Sequence, residues 1–237
     1  MSQKRFDINP YFTKEDMSMR KAITQAIMKL ADHDIEPVDI ELNMSSSQRV
    51  SDWLMINEPD DYINSCYIEI TMNLANEEGE DSDNSENAIV VGNAICYYIN
   101  VYSQATDTFV DIADIAESHE GDLFTAVSPL LNEEGLLKEE FGLAGFNILY
   151  IDKFYILPEY RGKGIGQLVL PMIIDLLGQG CGAATIIPAP TEDNGEERLE
   201  KTDPRYNKVM KQMTNLLEKN GFNIVNVQDH VWAKSYA

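Results

Sequence analysis

Arg161, Gly162, Lys163, Gly164 and Gly166 set three glycines and two cations into one short run, RGKGIG, of a chain whose net charge is −22. Glycine adopts backbone conformations closed to other residues, so such a run lets several main-chain N–H groups converge on one small anion. Upstream, Phe146–Leu157 has strand character. Downstream, Leu168, Val169, Met172, Ile173 and Leu176 recur three and four residues apart, as on a helix laid against a sheet. The positive end of that helix dipole faces back toward the glycines, which suits a diphosphate. Asp152 lies on the strand just before the loop.

Two common phosphate motifs do not fit this run. A dinucleotide fingerprint needs G-x-G-x-x-G, whereas the spacing here is G-x-G-x-G, with Pro158 and Glu159 between strand and glycines. A nucleotide P-loop needs Gly-Lys-Ser/Thr after four spacer residues, and the run lacks it. The remaining alternative is a glycine-rich turn that binds nothing. Two cations inside so acidic a chain argue against it.

With 237 residues, the chain is long enough for one large domain or a domain with an appendage. Forty Asp and Glu against eighteen Lys and Arg repel nucleic-acid phosphates and anionic membranes. A cationic partner would be attracted, although acidity also serves solubility alone. Cys66, Cys96 and Cys181 are dispersed, with neither metal spacing nor a disulfide framework, as expected in a reducing compartment. The first residues, MSQKRFDINP, have no apolar core for a signal peptide, and the most apolar window, Leu168–Ile187, is interrupted by Pro171, Asp175 and glycines. A soluble cytoplasmic protein, monomeric or homodimeric, is the expectation.

The elements that must position the loop follow from periodicity. Lys14–Leu30 reads as a helix and Pro37–Met44 as a strand, with Ser45–Ser47 offering caps for a short helix carrying Val50, Trp53 and Leu54. Tyr62–Leu74 and Ala88–Tyr102 are longer strands around Glu77–Asn87, whose alternating Asp81, Asp83 and Ser85 lack the glycine and the terminal glutamate of a calcium loop. Asp107–Glu134 is expected to be a helical insert running through Phe109, Ile112 and Ile115 and broken at Pro129, and Pro171 is expected to kink the helix after the glycines. Ala183–Ile187 forms a strand, Tyr206, Val209, Met210, Met213 and Leu217 line a last helix stopped by Gly221, and Phe222–Val227 and His230–Tyr236 end the chain as strands. The class is α/β in the broad sense, mixed α+β.

The segment ILPEYRGKGIG resembles the signature of the GNAT superfamily of N-acetyltransferases, Q/R-x-x-G-x-G/A. Arg161, Gly164 and Gly166 fill its positions, and Ile156, Pro158 and Tyr160 match common family residues. NLLEKNGF, Asn215–Phe222, is similar to the family's helix ending in Gly-Phe before a strand. By element order the resemblance covers residues 62–237. Only Tyr150–Leu177 is specific.

That resemblance implies a twisted mixed sheet flanked by helices, with residues 1–61 as a helical extension and the insert at 107–134 preceding the cofactor strand. It implies acetyl-CoA as co-substrate. Main-chain groups of Phe154, Tyr155 and Ile156 would hold its pantetheine arm, and amides of Gly162, Lys163, Gly164, Ile165, Gly166 and Gln167 its pyrophosphate, beside Arg161. The implied activity is transfer of an acetyl group to a primary amine on a small molecule or a protein. Diamine acetyltransferases and related enzymes of the family place a glutamate where this chain has Asp152, which is therefore the candidate general base for the amine. Strand alternation puts Asp152 on one face with Tyr150, Phe154 and Ile156. Where many members carry a tyrosine acid the chain has Leu217, and Tyr206 lies about three helical turns earlier. A non-catalytic CoA-binding or partner-binding protein is therefore the rival reading, and an acidic mimic of nucleic acid is a third.

His33, His119 and His230 are scattered and read as structural or surface residues. Cys181, between glycines, reads as a small packed residue. Lys201, Arg205, Lys208 and Lys211 read as a solvated helix face.

Overall fold

The computed structural model describes residues 28–30, 32–33, 40–47, 62–73, 88–103, 108–109, 111–119, 122–193 and 195–236. The chain is a mixed α+β protein built on one seven-stranded sheet. Its strands are β1 (Ile40–Ser47), β2 (Ile63–Asn73), β3 (Ala88–Ile99), β6 (Asn147–Ile156), β7 (Cys181–Ile186), β8 (Asn223–Asn226) and β9 (Val231–Ser235), in the order β1-β2-β3-β6-β7-β9-β8. Every pair is antiparallel except β6 with β7. A parallel neighbour needs a crossover, which helix α4 (Ile165–Leu177) provides.

Helices cover both faces of the sheet. On one face Leu168, Val169 and Ile173 of α4, with Leu217 of α5 (Tyr206–Lys219), join Ile68, Ile70, Leu149 and Ile151 in one core. On the other, α1 (Ile112–Ser118), α2 (Leu123–Val127) and α3 (Glu139–Gly142) bring Ile115, Leu123, Val127 and Phe141 against Ile99, Ile148 and Tyr150. Covered on both sides, β7 is buried at every position, as a parallel-paired central strand must be. Among the described residues no helix is long and apolar enough to cross a membrane.

Several expectations hold. Pro129 sits in the 3-10 turn Ser128–Leu130 that ends α2. At Gly221 (φ 82°) the amides of Gly221 and Phe222 return to the carbonyls of Glu218 and Leu217, the double bond of a glycine-terminated helix.

Others need correction. Ser45, Ser46 and Ser47 extend β1, opposite Tyr67, Cys66 and Ser65, instead of capping a helix; the long partner β2 satisfies their main chain and overrides local capping preference. The residues expected to follow in that helix, Val50, Trp53 and Leu54, lie outside the described residues, as do 14–27 of the expected first helix and the acidic loop 77–87. The insert is not helical throughout: Phe109 belongs to a two-residue strand, β5 (Thr108–Phe109), paired with β4 (Tyr102–Ser103).

Candidate functional site: a split strand pair beside a glycine loop

Strands β6 and β7 pair only over Asn147–Ile151 and Cys181–Ile186. Beyond them the two chains part. β7 itself ends at Ile186, and Pro188 and Pro190 in the IPAP run that follows carry no N–H for a further ladder. On its other side β6 stays paired with β3 as far as Ile156, opposite Gly92, and the Leu157 amide still donates to the Val91 carbonyl at 2.9 Å. Main-chain groups of Lys153, Tyr155 and Leu157 therefore point to β3, and those of Phe154 and Ile156 point to the open side. Of the three residues expected to offer main-chain groups to a ligand, Tyr155 is thus committed to the sheet.

The strand is not regular. Ile95 stands opposite Lys153 but Cys96 opposite Ile151, so Asp152 is the extra residue of a β-bulge. One inserted residue reverses the faces that follow. Phe154 and Ile156 consequently join the core beneath α4 and α5, opposite to Tyr150, which corrects the expectation that Tyr150, Asp152, Phe154 and Ile156 share a face. Asp152 itself stays with Tyr150, whose hydroxyl donates to Oδ1 at 2.9 Å. Tyr150 is 2% exposed, and its hydroxyl is pushed well above the usual phenol range, first by burial and then by the Asp152 charge. Tyr97 stacks on Tyr150 with ring centroids 6.1 Å apart, and His119 meets Tyr97 edge-on at 4.9 Å.

The glycine loop behaves as its composition suggests. Gly162 (φ 80°) and Gly164 (φ 99°) both occupy the left-handed region, and Gly164 begins helix α4. Among the described residues no hydrogen bond uses the amides of Gly162, Lys163, Gly164, Ile165 or Gly166. Gln167 differs, because its amide donates to the Gly164 carbonyl at 3.0 Å and its side chain is buried. Five amides without a hydrogen bond among the described residues remain at and just before a helix N-terminus, a suitable place for an anion. Gly166 lies against Phe154, Ile156 and Leu216, so a Cβ there would meet carbons at 3.5–3.7 Å.

Arg161 is engaged locally. Its Nε donates to the Ile156 carbonyl at 2.8 Å, its guanidinium lies 5.1 Å from the centre of the Tyr155 ring, and Nη1 is 3.7 Å from Asp193. Lys163 lies over the Tyr160 ring at 5.1 Å. The segment after β7 folds back here: the Tyr155 hydroxyl donates to the Asp193 carbonyl, and Gly195 (φ 70°) rests on the Tyr155 ring.

A cavity of about 410 Å³ opens on the far side of the Pro188–Pro190 stretch, with Asp122, Arg198, Lys201, Tyr206 and His230 among its walls. None of the glycine-loop residues lines it. Arg198 is ion-paired with Asp122, and its guanidinium is held above its ordinary range first by that hydrogen bond and then by the Asp122 charge. Ile187, which lines the cavity, packs against the same core as Tyr150. Sequence reading missed Asp122, Asp193 and Arg198, because each finds its partner far along the chain. Lys201 and Arg205 part company: Arg205 binds Glu192 and Asp203, each at 2.8 Å, while Lys201 faces the cavity. Leu217 is 2% exposed in the core and offers no acid.

No protein-family model matches the chain, and no curated protein matches its sequence.

Proposed function

We propose that this chain is a GNAT-type N-acyltransferase that moves an acetyl group from acetyl-CoA to a primary amine. The observation that carries the reading is the separation of β6 from β7 beyond Ile151 and Ile186, next to a loop with five uncommitted amides. The open main-chain edge at Phe154 and Ile156 suits an extended, amide-bearing arm, and the amides of Gly162 to Gly166 suit a diphosphate. Arg161 and Lys163 add positive charge there, and Gln167 supports the loop from within.

Acetyl-CoA supplies a thioester carbonyl open to attack by an amine. The chain's own residues handle the proton. An amine of pKa near 10 is almost fully protonated at neutral pH, so a carboxylate that accepts its proton raises the reactive fraction. Asp152 is that carboxylate. Tyr150 holds one of its oxygens with a neutral donor and leaves the other for the amine. The departing thiolate, with a pKa near 8.5, leaves without a strong acid.

Leu217, buried where an acid would be expected, favours a second reading: a CoA-binding or partner-binding protein of the same fold without turnover. Calorimetry and thioester turnover separate the two. Acetyl-CoA should bind the native chain and not Gly164→Val, whose β-branched side chain is incompatible with φ 99°. CoA release with a panel of amines should then disappear in Asp152→Ala. Binding without turnover would select the second reading, and undiminished binding by Gly164→Val would overturn both.

A further inference from the structure

We infer that the cavity beyond β7 selects a primary amine that also carries an anionic group, a carboxylate or a phosphate, and that Lys201 reads that group. This deepens the acyltransferase reading and rests on it. At about 410 Å³ the cavity has the size of a small-molecule site. Its charged or titratable walls are Asp122, Arg198, Lys201, Asp229 and His230. Asp122 is committed to Arg198. Asp229 accepts from the Asn226 side chain at 2.9 Å. Lys201 is exposed and has no ion pair among the described residues. Asp229 keeps its charge, since a neutral amide does not offset it, so the cavity presents one cation and one carboxylate outside any ion pair among the described residues, poles that suit a zwitterion.

Pro188, Pro190 and Met210 give the cavity apolar walls for a carbon skeleton. Ile187, another wall residue, directly follows β7 and packs against the same core as Tyr150, so the cavity lies along the strand pair that carries the proposed base. An acceptor anchored through its anionic group at Lys201 presents its amine to that wall. A polyamine, cationic at its nitrogens, meets repulsion at Lys201. The neighbouring space of about 390 Å³, walled by Glu192, Glu197, Glu200 and Asp203, is the alternative place for one, although Arg205 already holds Glu192 and Asp203.

Calorimetry on the full chain, without acetyl-CoA, tests the inference with matched ligands. Phenylalanine is compared with phenylalaninamide, glucosamine 6-phosphate with glucosamine, and all with spermidine. In at least one pair the anionic member should bind about tenfold more tightly than its neutral twin and than spermidine, a difference of one decade in Kd. The pair that shows the gap tells carboxylate from phosphate. Lys201→Met should erase the gap, and Lys208→Met, outside the cavity, should leave it. Spermidine binding as tightly as the anionic ligands, binding of neither anionic ligand, or a gap that survives Lys201→Met overturns the inference. Acetyl transfer is scored separately: anionic preference without turnover keeps the cavity assignment and removes the acyltransferase reading, whereas turnover on spermidine alone does the reverse.

Discussion

Tyr150 donates its phenolic hydrogen to Oδ1 of Asp152, two residues along the same strand, over 2.9 Å. The bulge at Asp152 then turns the rest of β6 over, so this pair lies on one face of the sheet while Phe154 and Ile156 anchor the strand on the other. A half-buried carboxylate is thereby fixed in one orientation by a donor that burial keeps protonated. No other hydrogen bond among the described residues engages this carboxylate.

Removing that donor should separate catalysis from folding. In Tyr150→Phe the ring and its stacking on Tyr97 remain, and only the hydrogen bond is lost. A hydrogen bond to a charged group contributes about 1.5–3 kcal/mol, so kcat for acetyl transfer should fall about tenfold or more. KM for acetyl-CoA should hardly change, since Tyr150 lies on the sheet face opposite to Phe154 and Ile156. Steady-state kinetics read both numbers, and an unchanged kcat would remove Tyr150 from the mechanism.

Two glycines that look alike in sequence should respond differently to alanine. At Gly92 a Cβ would fall 2.3 Å from the Tyr155 carbonyl oxygen and 3.2 Å from Ile156 Cα, so β3 and β6 would have to separate. Overpacking of that kind costs about 1–3 kcal/mol, and it should displace the open edge and lower acetyl-CoA affinity with it. At Gly166 the nearest atoms are side-chain carbons at 3.5–3.7 Å, ordinary contact distances on a helix. Gly166→Ala should therefore leave the urea midpoint unchanged or raise it slightly, since alanine is favoured over glycine in helices by about 0.5–1 kcal/mol. Equal destabilisation of the two variants would contradict the close approach at Gly92.

Alkaline pH should unfold the chain through its buried thiols. Burial pushes the Cys181 thiol up from 9.0 to about 12, and raises Cys66 and Cys96 as well. The folded chain holds protons that the unfolded chain releases. This stabilisation is complete below the unfolded value of 9.0 and is lost as pH rises toward the folded value of about 12. Each fully shifted thiol should remove about 1.4 kcal/mol per pH unit in that window. Urea midpoints measured across the window should fall, and Cys181→Ala should flatten the slope. A flat profile in the native chain would show the thiols to be less buried than described.

What was legible in the sequence was local. The glycine loop, the periodic helix behind it, the break at Pro129 and the Gly221 stop each depend on residues a few positions apart, whose conformational limits act wherever the chain goes. The mixed class followed from the same periodicities. Local preference failed at Ser45–Ser47, where a cap signal lost to eleven residues of partner strand. Phe109 went the same way, into a strand pair with Tyr102.

Residues IDKFYIL show a strand and Asp152 within it, but not the bulge, because that extra residue exists only relative to the register of β3. The prolines after Ile186 say that pairing ends, and not that the strand they leave is β6. Arg198 meets Asp122 across 76 positions, a proximity that no spacing rule contains. The sequence by itself determined a loop able to cradle an anion, through backbone sterics and charge. Tertiary structure alone decided which carboxylate stands beside which phenol, which strand edge stays open and which lysine faces the cavity, because these follow from long-range pairing and packing.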